Sequence, residues 1–150
     1  MLKASDAVAA IITLEDGRYL MQLRDDKPEI WYPNHWGCFG GAVDAGETPE
    51  QALRRELYEE LELAVGQTTY FTRFDYDFEP FGMKTCFRIY YLLRISQRAM
   101  SSLTLHEGRA MKAISYGDLT TACRVTPYDL FAIELHHQAV YRVSYGCEYG

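Results

Sequence analysis

The segment from Thr48 to Leu63 constrains the fold more than any other, because its start, its length and its apolar stripe are all written locally. Thr48 is a residue type that caps helix N-termini, Pro49 suits the first helical position, and Gln51 stands at capping-box spacing. A helix is therefore predicted from Pro49 to about Leu63. With Leu53 at zero degrees and about 100° per residue, Leu57 and Leu61 complete a buried stripe. Glu60 falls within roughly 20° of Leu53, and Glu56 and Glu59 fan out on that side rather than opposite it. Carboxylates at positions i, i+3 and i+4 repel unless protonated, paired with cations or bridged by a divalent ion. An all-oxygen set suits a hard ion, and Arg55, four residues before Glu59, can orient its carboxylate, leaving Glu56 and Glu60 freer to face metal. The competing reading is an exposed helix with incidental ion pairs. Gly40-Gly41 upstream weakens it, since backbone there can approach a ligand closely and aim a carbonyl at the same ion.

Ahead of this helix, Ala7 to Leu14 is apolar and β-branched, and Glu15-Asp16-Gly17-Arg18 supplies a turn before Tyr19 to Arg24, so a hairpin opens the fold. A polar and aromatic loop from Asp25 to His35, interrupted by Pro28 and Pro33, leads into Trp36 to Gly41. Downstream, Tyr70, Thr72, Phe74, Tyr76 and Phe78 alternate with Arg73, Asp75, Asp77 and Glu79, the two-residue period of a half-buried strand. After a turn near Gly82, a partner strand places Phe87, Ile89, Tyr91, Leu93 and Ile95 on one face, with Arg88 and Arg94 on the other. A short strand is expected over Met111 to Tyr116. Thr126-Pro127 then repeats the cap-plus-proline signal, with Leu130, Ile133 and His137 at helical spacing to about Ala139.

With 150 residues, 48% hydrophobic and 14% aromatic, the chain is expected to form one ordinary domain with its own core. A net charge of -6 argues against a nucleic-acid polymer as partner, which needs clustered Lys and Arg, but leaves room for a small anion offset by a metal. Cys38, Cys86, Cys123 and Cys147 have neither metal-ligand spacing nor a disulfide framework, and are read as reduced thiols. The apolar run Ala7 to Leu14 is too short for a membrane span or a signal core, so a cytoplasmic location is the expectation.

Gly41, Glu47, Arg55, Glu56, Leu57, Glu59, Glu60 and Leu63 together resemble the Nudix box, the signature of the Nudix hydrolases. The one departure is Glu62, where the family pattern has a glycine that closes the helix in a left-handed conformation. Gly66 is then expected to supply the cap one turn later. The resemblance implies an α/β fold, the Nudix-type α/β/α sandwich with a mixed β-sheet. It also implies Mg²⁺ or Mn²⁺ held by Glu56, Glu59, Glu60 and the Gly41 carbonyl, with Glu47 in support, and cleavage of a nucleoside diphosphate linked to another group. A Nudix-fold regulatory module without catalysis and a diphosphate isomerase on the same fold are the alternatives. The partner is a small nucleotide or diphosphate, with no membrane, and a homodimer is allowed.

Other residues are candidates on chemistry and place. A carboxylate must take a proton from the attacking water, and Glu107, before the last predicted strand, joins the helix acids as a candidate for that base. Arg24 and Lys27 are placed to meet a phosphate by charge-assisted hydrogen bonds, or else to sit in water at the strand end. Trp31, Tyr32 and Trp36 either stack on a nucleobase or pack locally. His35, His136 and His137 share no ligand spacing and are read as structural or surface residues.

Overall fold

The computed structural model describes residues 2–145; Cys147 lies outside the described residues. The sheet is built around β1 (Ala7–Leu14), which β6 (Cys86–Ile95) accompanies in parallel from Ala7↔Arg88 to Leu14↔Ile95. Two strands pair with β1 antiparallel: β4 (Phe39–Ala42) opposite its first half and β2 (Tyr19–Leu23) at its end. The seven-stranded mixed sheet is completed by β5 (Thr69–Tyr76) on β6, and by β3 (Trp36–Gly37) and β7 (Ala110–Ile114) on β2.

Both faces of this sheet are covered, which is why β1 is apolar from Ala7 to Ile12. Val8, Ala10, Ile12 and Leu14 pack with Leu53, Leu57 and Leu61 of α1 (Pro49–Leu61). The alternate residues Ala9 and Ile11 pack on the opposite side with Leu119 of α3 (Tyr116–Thr121) and with Ala132 and Ile133 of α4 (Pro127–Tyr145). The result is the expected α/β/α sandwich. Among the described residues no helix is long and apolar enough to cross a membrane.

The capping box forms as read: Thr48 Oγ1 accepts from the Gln51 N–H at 3.2 Å and Gln51 Oε1 accepts from the Thr48 N–H at 2.9 Å. The helix end differs from expectation. It closes at Glu62, not at Gly66, with Glu62 itself left-handed at φ 56° and its N–H reaching the Leu57 and Tyr58 carbonyls. The Leu63 N–H follows onto Leu57 at 3.3 Å, so the motif that glycine favours forms here on a glutamate.

The strict alternation expected from Tyr70 to Phe78 is also broken. A bulge between Tyr70 and Thr72 turns Phe71 towards the α4-side core and leaves Tyr70 57% exposed. The strand stops at Tyr76, and a single 3-10 turn occupies Glu79–Phe81. Ser115 ends β7 at Ile114 by capping α3 through the Asp118 N–H. A further short helix, α2 (Gln97–Ser101), follows β6, and the last helix runs beyond Ala139 to Tyr145.

Candidate functional site

The α1 helix presents its acids around one guanidinium. Arg55 donates from Nε and Nη2 to the two Glu47 oxygens at 2.6 and 3.0 Å, and from Nη1 to Glu56 at 2.9 Å and Glu59 at 3.3 Å. Its Nη2 also reaches the Ala42 carbonyl at 3.0 Å, tying the helix to the end of β4. The hydrogen bonds from Arg55 and then from the Asp44 N–H hold Glu47 below the usual carboxylate range, and the hydrogen bond to Glu47 in turn raises Arg55. Glu59 stays 58% exposed at the edge of the group.

Glu60 is the buried member, 3% exposed, and its Oε2 accepts from the Gly40 N–H at 2.9 Å. Loss of solvation, then the like charges of Glu107 and Glu56, push its carboxyl up to about 8. Glu56 is raised as well, first by burial and with Glu59 and Glu107 adding to it, while Arg55 opposes the shift. Glu107, 47 residues beyond Glu60 in the chain, is therefore brought to the same place. The Thr104 and His106 N–H groups donate to the Leu61 and Glu60 carbonyls at 3.2 and 2.9 Å, so the loop caps the end of α1. Gln22, buried at the far side, donates to the Glu107 carbonyl at 2.8 Å. Gly108 at φ +86° follows, where a Cβ would stand 2.7 Å from the Gln22 side chain.

The glycine pair is needed by the protein itself. A Cβ on Gly40, at φ +145°, would lie 2.1 Å from the Val8 carbonyl oxygen, and one on Gly41 would lie 2.4 Å from the Glu56 carboxyl carbon. What approaches this backbone so closely is strand β1 and a site carboxylate. Among the described residues no three acids, histidines or cysteines are spaced to grip a metal as they stand, because Arg55 draws Glu56 and Glu59 while Glu60 faces Gly40. The donor set nevertheless fits a hard divalent ion: it is all oxygen, and its buried member carries a proton at neutral pH unless a cation replaces it.

Gly40 and Gly41 also border a cavity of about 600 Å³ on the α4 side of the sheet. Arg24, Trp31 and Tyr32 line it, together with Tyr76, Phe78, Arg88, Tyr128 and Phe131. Trp31 stacks on Phe78 at 5.8 Å between centroids, and Phe78 on Tyr76 at 5.9 Å. Arg24 Nε donates to the Trp31 carbonyl at 3.0 Å and so steadies the loop. Lys27 and Trp36 are elsewhere: Lys27 pairs with Asp25 at 3.0 Å on the surface, and Trp36 packs in β3 against the α4-side core. His136 takes a hydrogen bond with the Tyr19 hydroxyl at 2.8 Å, His137 stacks on Tyr116, and His35 Nδ1 lies 2.8 Å from the Pro33 carbonyl.

A family profile described as "NUDIX domain" matches residues 3–130. The chain belongs to the Nudix family. An 8-oxo-dGTP diphosphatase of Haemophilus influenzae is 51% identical over 80 residues, which is 51% of this chain and 54% of that protein. This Nudix chain thus matches about half the length of that relative. The crystal structure of a MutT NUDIX hydrolase from Burkholderia pseudomallei is 26% identical with a TM-score of 0.69, covering 89% of this chain and 97% of that one. A MutT protein from Methanosarcina mazei Go1 shares the fold with a TM-score of 0.74 at 16% identity, over 91% and 95% of the two chains.

The second buried polar group of this Nudix chain is absent from the sequence reading. Asp129, 1% exposed, accepts from Tyr90 Oη at 2.8 Å and Arg88 Nη2 at 3.0 Å on one oxygen, and from the Cys38 N–H at 2.9 Å and Thr126 Oγ1 at 2.7 Å on the other. The available signal was Arg88 in a strand whose neighbours are apolar; a cation placed so demands a buried acid.

Proposed function

We propose that this protein hydrolyses a diphosphate linkage in a small nucleotide-like substrate, with Mg²⁺ or Mn²⁺ held by Glu56, Glu59, Glu60 and the Gly41 carbonyl. The observation that carries the reading is the seam at β4. Glu60 and Glu56 lie against Gly40 and Gly41 from the α1 side, and the ring-lined cavity opens beside the same two residues. A divalent ion there would neutralise phosphate oxygens and make nearby water easier to deprotonate.

The chain's own groups supply the rest. Arg55 and Glu47 fix the direction of the helix acids, as their shared hydrogen bonds favour. Glu107 is the acceptor for the water proton, since its charge already acts on Glu56 and Glu60. Arg24, at the cavity wall, meets a substrate phosphate, and Trp31 and Tyr32 hold the base. Support for a nucleotide comes from the 8-oxo-dGTP diphosphatase relative and from the aromatic lining.

The test is a panel of nucleoside triphosphates, dinucleotides, nucleotide sugars and non-nucleotide diphosphates, assayed with Mg²⁺ and with Mn²⁺. Metal-dependent cleavage between phosphorus atoms, read from the products, is expected. Tight binding without cleavage would instead mark a regulatory module, and a rearranged ester an isomerase.

A further inference from the structure

Strand β5 stands at one end of the sheet, and among the described residues its strand neighbour is β6 alone. No backbone group from Thr72 to Tyr76 finds a partner beyond β6 among those residues, so the outer edge keeps a row of free donors and acceptors. A second strand can pair there unless side chains oppose it. The usable stretch is bounded at both ends. The bulge between Tyr70 and Thr72 breaks the ladder before it, and the strand stops at Tyr76.

Symmetry then leaves few registers. Two copies of this edge meeting antiparallel across a two-fold axis perpendicular to the sheet keep their faces aligned when a residue, rather than a peptide bond, lies on the axis. Phe74 is the midpoint of the usable stretch, and with it on the axis Arg73 lies opposite the partner's Asp75 and Asp75 opposite the partner's Arg73. Moving the axis to Arg73 or to Asp75 sets like charges directly against each other. The charges therefore guard the edge against the neighbouring registers and admit one.

Both faces of that pairing are complementary. On one, Arg73 Nη2 already donates to Asp75 Oδ1 of its own strand at 2.8 Å, and the guanidinium lies 4.3 Å from the Phe87 ring centroid, so the two charges are presented side by side. A lone exposed pair contributes little, but two copies close a ring of four alternating charges with opposed Cβ atoms about 5 Å apart. On the other face Phe74 packs on Phe131 of α4, 5.4 Å between centroids, and Phe131 and Leu135, one turn apart, are large apolar side chains left exposed. The same axis brings both α4 helices to one face of the joined sheet, where these side chains cover each other.

We propose that two copies of this chain associate through their β5 edges, antiparallel and with Phe74 on the two-fold axis, to form one continuous sheet. The association is independent of the hydrolysis proposed above and is read without any substrate.

Sedimentation equilibrium of the full chain, from about 1 to about 300 μM, is the test. The wild type is expected to dimerise with a dissociation constant of about 1–100 μM, in keeping with a small interface. Arg73→Asp and Asp75→Arg each place like charges across the axis and should weaken association by about tenfold or more. An equimolar mixture of these two variants should regain the wild-type affinity as a heterodimer, because every opposed pair is then of opposite sign. The chain carrying Arg73→Asp and Asp75→Arg together should self-associate like the wild type for the same reason. Recovery on mixing separates the charge effect from misfolding, since an unfolded variant cannot be restored by its counterpart. A wild type that stays monomeric over that range, association unchanged in both single variants, or a mixture that associates no better than its components would overturn the proposal.

Discussion

Glu60, the buried member of the proposed metal site, makes stability depend on pH. Its carboxyl sits at about 8 in the folded chain against an ordinary 4.5, so between those values the folded form holds a proton that the unfolded form has lost. The stability this lends is complete below about 4.5 and disappears as pH rises towards 8. In EDTA, the thermal midpoint is expected to fall across that window, and Glu60→Gln, which cannot ionise, should flatten the dependence. A parallel pH series in the two proteins checks it; identical slopes would show that Glu60 is not the titrating group. At this scale the sequence was informative where residues are close in the chain. The helix acids and Arg55 could be placed from 3.6-residue geometry alone. Asp129 could not be paired with Arg88 from 41 residues away, and Glu107 is 47 positions beyond Glu60, brought there by backbone bonds at the end of α1.

Elements differ in how much of their geometry is local. The start of α1 was readable because every partner lies within three residues of Thr48, whereas its end depended on whether a non-glycine would accept a left-handed φ. Glu62 accepts it while pairing with His106 at 3.2 Å on an exposed surface, an ion pair worth little. Glu62→Gly should therefore stabilise the protein by about 0.5–1 kcal/mol in urea unfolding, the strain relieved outweighing the added freedom of the unfolded chain. A loss of stability would mean that the His106 contact matters more than the backbone. The first turn of α4 is anchored differently, by Asp129 to Cys38, between β3 and β4, and to β6. Asp129→Ala removes the carboxylate partner of the half-buried Arg88 and the acceptor of the Cys38 N–H and the Thr126 and Tyr90 hydroxyls, and should cost about 3–5 kcal/mol by the same measurement; a cost below about 1 kcal/mol would remove the anchoring role. Strands β3 and β4, of two and four residues, were too short to carry a period, and the bulge in β5 hid behind an alternation that looked regular.

Over the whole molecule, the two faces of the sheet hold different parts of the site. The α1 face supplies the carboxylates, the α4 face supplies the aromatic cavity, and β4 is where they meet, since Gly40 and Gly41 have no side chains to separate them. The sandwich architecture followed from the family resemblance of the box, and the two apolar faces of β1 agree with it. The cavity did not follow, because its rings come from the Trp31 loop, the end of β5 and the start of α4, which only the folded sheet brings together. The proposed activity requires both halves at once. The most direct measurement is the Mg²⁺-dependent release of phosphate-containing products from nucleoside triphosphates by the wild-type protein and by Glu60→Gln, with circular dichroism confirming equal folding. Turnover in the wild type and its loss by at least about a hundredfold in the variant is the result predicted for removal of a charged oxygen ligand. Equal turnover in the two proteins would contradict it.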